Sequence, residues 1–314
     1  MTAAMTARTS RVTSSARNSD RASHGRACTE LRSSTSSPQL SGLDEDLPAY
    51  SLSQSAVPVV TAGTSWPREM SRDWAFGNSR GEGVRVCIVD SGVDADHPLV
   101  ACALDRAVVV EMVDENVAIR DDDAGDVSGH GTACAGIIRS IAPGASLTSV
   151  RVLGTALTGG GNVLIEGVRW AVSQGFDIVN LSLSTSKAKF AGALHEAADE
   201  AYFRSCAIFA SAHNMPVTSY PWRFSSVISV GSHSGADPLE YFYNPLPPVE
   251  FHARGVDVEI AWADHSVIRA TGNSFATPTM AAIGALILGR HPGLTPFELK
   301  TALMHAASNV SAAA

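Results

Sequence analysis

Long apolar runs are missing from this chain. Nowhere in its 314 residues does one reach the roughly 18 positions that a membrane-spanning helix requires, which argues against a membrane partner. Cysteines are few, odd in number and scattered (Cys28, Cys87, Cys102, Cys134 and Cys206), with no C-x-x-C spacing. That excludes a disulfide framework and a zinc site read from spacing, and predicts reduced, mostly buried thiols suited to a reducing compartment. Basic residues are outnumbered, 23 Lys and Arg against 31 Asp and Glu, a net charge of −8. Nucleic acid is therefore not the expected partner. The N-terminus has no apolar core of signal-peptide length, although Arg8, Arg11, Arg17, Arg21, Arg26 and Arg32 are spread through a Ser/Thr/Ala-rich stretch. An organelle transit peptide shares that bias. The expectation adopted is plainer, a low-complexity tail over residues 1–63, a folded domain over 64–314 and a cytoplasmic protein.

The rest of the chain has the makings of a core, with 45% hydrophobic and 17% charged residues. Short apolar runs at Val84–Val89, Leu147–Leu153, Phe176–Leu183, Cys206–Ala210 and Val227–Val230 read as buried strands. Between them lie helical patterns at Thr132–Ser140, Asn162–Gln174 and the face Phe190, Leu194, Ala197, Ala198, Ala201. Phe275–Gly289 is apolar all round, so it predicts a helix buried on most sides. A final helix opens on Thr295, Pro296 and Glu298, the residues of a capping box with proline at the first helical position. Strands alternating with helices predict an α/β, doubly wound fold with a mostly parallel sheet and helices on both faces.

Active sites of such sheets collect at the carboxyl ends of the strands. Asp90 stands there, closing an apolar strand; its plain alternative is a turn or cap residue. His130, between Gly129 and Gly131, opens a helix of small residues, where the dipole favours the neutral imidazole that a general base needs. Alone it is equally a packed core histidine. Ser274 opens the long apolar helix, where backbone N–H groups favour developing negative charge. Alone it is an N-cap.

Together the three motifs say more. Asp90-Ser-Gly, His130-Gly-Thr and Gly272-x-Ser274-x-Ala-x-Pro278, in the order Asp, His, Ser, resemble the subtilisin-like serine peptidases from about Trp66 to Val310. Ile141–Leu147, Arg151–Leu153, Ile178–Leu183 and His291-Pro292 carry the same likeness. The resemblance implies a subtilisin-like fold and a serine endopeptidase acting through an acyl-enzyme on Ser274. His130 is then the base, Asp90 its orienting acid and Asn214 the oxyanion-hole side chain. It implies a peptide or protein substrate, no cofactor and no metal. The substrate would meet Ser182, Leu183, Ser184, Ser211, Ala212, His213, Ser219 and Trp222. Two other uses of the same scaffold remain open, a peptide ligase that passes the acyl group to an amine and an inactive peptide-binding module.

Departures from the family pattern sharpen these expectations. Ile138–Pro143 runs on without the calcium-binding loop of many members, and Leu99 stands where they place an aspartate ligand. The acidic run Arg120–Asp126 reads as a solvated loop rather than a metal site. No folded pro-domain is evident before Trp66. Ser184, Thr185, His213, Ser219 and Trp222 occupy positions where glycine is usual, which predicts a crowded, selective cleft. Asn273 replaces a threonine that often assists the oxyanion hole.

Overall fold

In a computed structural model of the protein, residues 66–67, 70–101 and 104–311 are described. The expected tail over 1–63 lies outside them, as do Cys28 and Cys102. A single turn, α1 (Arg72–Ala75), precedes the first strand, β1 (Arg85–Asp90). An antiparallel hairpin follows, β2 (Arg106–Val113) and β3 (Asn116–Asp121), then α2 (His130–Ile141), β4 (Ser146–Arg151), α3 (Gly161–Ser173) and β5 (Ile178–Leu181). The chain continues through α4 (Ala191–Phe203), β6 (Ala207–Ser211), β7 (Ile228–His233), β8 (Tyr241–Tyr243) and β9 (Phe251–Arg254). A small hairpin, β10 (Val258–Ala261) and β11 (Val267–Ala270), leads into α5 (Asn273–Arg290) and α6 (Pro296–His305).

Nine strands form one sheet in the order β3-β2-β4-β1-β5-β6-β7-β9-β8. The seven from β2 to β9 are parallel, and β3 and β8 close its two edges antiparallel. The architecture is the doubly wound α/β sheet that the sequence predicts.

Each face of the sheet is covered, which is why the central strands read as unbroken apolar runs. Val86 and Ile88 of β1 point into a core shared with α2, α5 and α6. Their neighbours Cys87 and Val89 point the other way, toward α3 and α4. Helix α5 is buried along nearly its whole length, as its composition requires. Helix α6 starts on the expected capping box, with Glu298 N–H donating to Thr295 Oγ1 and Thr295 N–H to Glu298 Oε2. Phe190 belongs to a short 3₁₀ turn ahead of α4 rather than to the helix itself. Among the described residues no helix is long and apolar enough to cross a membrane.

Two details prepare the site. The crossover from β4 to β5 steps over β1, so strand succession reverses beside it, where α/β sheets open a crevice at their carboxyl ends. Pro278 inside α5 leaves the Ser274 carbonyl without its usual i+4 donor, and the Cys134 thiol approaches that oxygen at 3.9 Å.

Candidate active site

Asp90 ends β1 with no exposed surface. A carboxylate so placed needs partners. Its Oδ1 accepts from the Ser91 N–H at 2.8 Å and lies 2.8 Å from His130 Nδ1. That second bond fixes the ring: Nδ1 carries the hydrogen, and Nε2 has no partner among the described residues and keeps a free lone pair. Burial pulls the His130 pKa down, but the charge and hydrogen bond of Asp90, with Asp126, outweigh it and leave the pKa above 6.5. The helix-start dipole expected to lower it is therefore not decisive.

Helix α2 begins without a side-chain cap at Gly129, whose φ of 95° suits glycine. Asp126 serves instead. Its Oδ1 accepts from the Ser128 and Gly129 N–H groups and from Ser91 Oγ, and its Oδ2 from the Thr132 N–H and hydroxyl. Ser91 Oγ also accepts from the Gly131 N–H, tying the end of β1 to the start of α2. A side chain on Gly131 would stand 1.9 Å from the Gly92 carbonyl, so only glycine lets the two meet. The acidic run is thus a solvated loop only in part, exposed at Asp123 and Ala124. Arg120 and Asp121 lie in β3, Asp122 is an almost wholly buried partner of Arg151 at 2.7 Å, and Asp126 organises the histidine helix. Sequence reading missed Asp126, although an acid four residues before a helix-opening histidine is the signal that would have found it.

Ser274 lies in the first turn of α5, half-buried. The next residue, Phe275, packs its ring 5.5 Å from that of His130, and Trp262 meets the imidazole edge-on at 6.5 Å. Ser274 Oγ is not hydrogen-bonded to His130 in this structure. Such bonds are often long until a substrate is bound. The Ser274 N–H is one of the free donors that open any helix. Asn214 approaches from the loop after β6, its Oδ1 accepting from the Asn273 N–H at 2.9 Å. Its Nδ2 is left without a partner among the described residues, on the same side of Gly272 as Ser274 Oγ.

Asn273 is used in a way the sequence did not disclose. Its Oδ1 accepts from the Ser232 N–H and hydroxyl, and its Nδ2 donates to the Ala212 carbonyl at 3.2 Å. It braces the Asn214 loop from behind.

The eight expected substrate-contact residues divide. Leu183 and Ser184 line a cavity of about 290 Å³ with Leu153, Leu157 and Leu164. Ala212, His213 and Trp222 line a second, on the other side of the Asn214 loop. Ser182, Ser211 and Ser219 are buried and line neither. Between the cavities the space is filled. Ser184 Oγ donates to Ser219 Oγ at 3.1 Å, Trp222 Nε1 donates to the same oxygen at 2.8 Å, and Thr185 and Tyr220 exchange backbone hydrogen bonds. His213 accepts the Met215 N–H on Nδ1.

A buried acid–histidine pair beside a serine at a helix start is the arrangement that a family match should explain. A family model described as the subtilase family matches residues 81–314. The chain belongs to the subtilase family. Subtilisin DY of Bacillus licheniformis is 28% identical over 246 residues, covering 74% of this chain and 86% of its own. Subtilisin E of Bacillus subtilis (strain 168) is also 28% identical, over 281 residues, 85% of this chain and 70% of its own. A crystal structure of a cold adapted subtilisin-like serine proteinase superposes with a TM-score of 0.58 at 27% identity, covering 74% of this chain and 86% of that one. This subtilase is a subtilisin-like serine endopeptidase, and its substrate is a peptide or protein.

Within this subtilase, Asp90, His130 and Cys134 are the one group among the described residues whose donor atoms converge closely enough to hold a metal. The set does not suit one. Asp90 and His130 already bind each other, and burial pushes the Cys134 thiol well above its ordinary pKa, whereas a metal needs the thiolate. Helix α2 runs unbroken and Leu99 is exposed, so neither offers the oxygen ligands that calcium prefers.

Proposed function

We propose that this endopeptidase acts through Ser274 as nucleophile, His130 as general base, Asp90 as the acid that orients it, and Asn214 with the Ser274 N–H as oxyanion donors. The observation that carries the reading is the 2.8 Å Asp90–His130 hydrogen bond, which leaves Nε2 as the basic nitrogen. Ser274 Oγ attacks the scissile carbonyl carbon while His130 Nε2 takes its proton. The carbonyl oxygen becomes an oxyanion and meets two donors that have no other partner among the described residues. When the C–N bond breaks, His130 returns the proton to the leaving amine; water, activated the same way, then releases the acyl group.

The proposal includes restricted specificity. A large side chain at the cleavage position would need the space now taken by the Ser184–Ser219–Trp222 chain of hydrogen bonds. Added atoms in a close-packed site cost about 1–3 kcal/mol unless something moves. The favoured residue there is small.

Ser274→Ala tests the assignment. Turnover of a peptide library, followed by mass spectrometry, should fall by roughly 10⁶, the scale known for subtilisin itself. A fluorophosphonate should label the wild type and not the variant. Near-normal cleavage by Ser274→Ala removes the nucleophile, and an unlabelled wild type points to a peptide-binding module instead. The same spectra show ligated products if an amine rather than water takes the acyl group.

A further inference from the structure

The second cavity, about 390 Å³, is the larger of the two and lies against the back of the Asn214 loop. His213, Thr218, Arg223, Ser232, His252 and Asn273 supply its polar lining. No Asp or Glu lines it, although the chain carries a net charge of −8. Arg223 is exposed, stacks on Trp222 at 5.7 Å and hydrogen-bonds only Thr218 Oγ1, at 3.2 Å, among the described residues. Its charge faces no carboxylate among the described residues.

His252 is the second unusual member. It lies on β9 opposite Gly231 of β7, and its buried Nδ1 has no hydrogen-bond partner among the described residues. A Cβ on Gly231 would stand 3.3 Å from that nitrogen, so glycine there leaves room for the ring. Burial, then the neighbouring His233, holds the His252 pKa below the ordinary value. The ring is therefore neutral near pH 7 and has one N–H to donate. A buried polar group left unpaired is costly, and a ligand that accepts its hydrogen relieves that cost.

We propose that this cavity is a carboxylate-binding site, with Arg223 as the charged partner at its mouth and His252 as the donor inside. The proposal rests on the reading of Asn214 and Ser274 as part of the catalytic centre. One guanidinium and one neutral imidazole match a planar monoanion with two oxygens; a phosphate dianion would call for more positive charge. The cavity shares Asn273 with that centre, and Asn273 holds Asn214. Occupancy is thus placed where it influences the reacting carbonyl. The carboxylate belongs either to an acidic side chain of the bound peptide or to a small free acid.

Two arms separate these sources, both using the full chain at fixed ionic strength. The first compares peptides carrying Glu or Gln at each position around one Ala-Ala bond. An acidic side chain as ligand gives one position that favours Glu by about tenfold or more in kcat/KM, as one charge-assisted hydrogen bond supplies. That preference should disappear in Arg223→Gln and weaken in His252→Phe, while the all-neutral peptide is cleaved as before. The second arm compares sodium acetate with sodium chloride. A free acid as ligand gives no Glu preference, but acetate raises the melting temperature of the wild type and not of Arg223→Gln. Absence of both effects, or their survival in both variants, overturns the proposal. A wild type that cleaves no peptide refutes the catalytic reading instead, and the acetate arm still decides the carboxylate site.

Discussion

The start of α2 and the loop after β6 flank the same crevice and are held differently. At α2 the polar atoms answer to backbone: Asp126 takes three N–H groups and two hydroxyls, and Ser91 takes another N–H. Around the Asn214 loop, backbone bonds through Asn214, Asn273 and His213 are joined by a chain of side chains bonded to side chains, Ser184–Ser219–Trp222, and Met215, Val217 and Arg223 stay exposed. Backbone-anchored groups cannot be exchanged without moving an element of the fold. Side-chain pairs can be exchanged one residue at a time. The proposed base and its orienting acid lie with the first region, whereas the proposed oxyanion donor Asn214 and the departures from the family pattern lie with the second.

The sharpest break in that comparison comes at Asp90. Asp90→Asn should lower turnover by about 10⁴, as loss of the corresponding acid does in other serine proteases. It should also change the pH profile. In the wild type the base needs neutral His130, whose pKa lies above 6.5, so activity rises with pH through a midpoint above that value. Without the Asp90 charge the lowering by burial prevails, and the residual activity should rise at lower pH. A pH–rate profile with an unmoved midpoint contradicts this account of His130.

Asn214→Ala should cost on the order of 10²–10³ in kcat with little change in KM, because the donor matters once the carbonyl becomes an oxyanion. Asn273→Ala, which removes the brace but not the donor, should fall between it and the wild type, again in kcat. A rise in KM alone would make both residues substrate-binding. On the cleft side, Trp222→Gly should relieve roughly 5–150-fold discrimination against large residues at the cleavage position, read in a library digest. Unchanged preferences would mean that Trp222 does not limit the pocket.

The mildest expected effect is on stability. Asp126→Asn should cost about 1–2 kcal/mol, the worth of a helix cap, seen as a drop of a few degrees in melting temperature. An unchanged melting temperature would show that the backbone N–H groups find other acceptors.

The same contrast governs what the sequence reveals. Asp90, His130 and Ser274 were legible because each closes or opens an element whose apolar pattern is plain, as in β1 and α5. The hairpins β2–β3, β8–β9 and β10–β11 were not. Strands of three or four residues, or one lying at a sheet edge, give no periodicity to count. Asp126 looked like one acid in a solvated run because its partners Ser91 and Thr132 belong to other elements. Asn273 reads in the sequence only as a replacement for a threonine that often assists the oxyanion hole; its bracing role depends on Ser232 and Ala212, remote in sequence.

The strand order also has a consequence for how the molecule assembles. β1 carries Asp90, and its two neighbours are residues 146–151 on one side and 178–180 on the other. Nothing nearby in the chain can hold it. A parallel strand of this kind gains its hydrogen bonds only after long loops have closed, and such topologies fold slowly. Asp90 and His130 are therefore brought together by the same late event that completes the centre of the sheet, and a partly folded chain lacks the proposed catalytic pair.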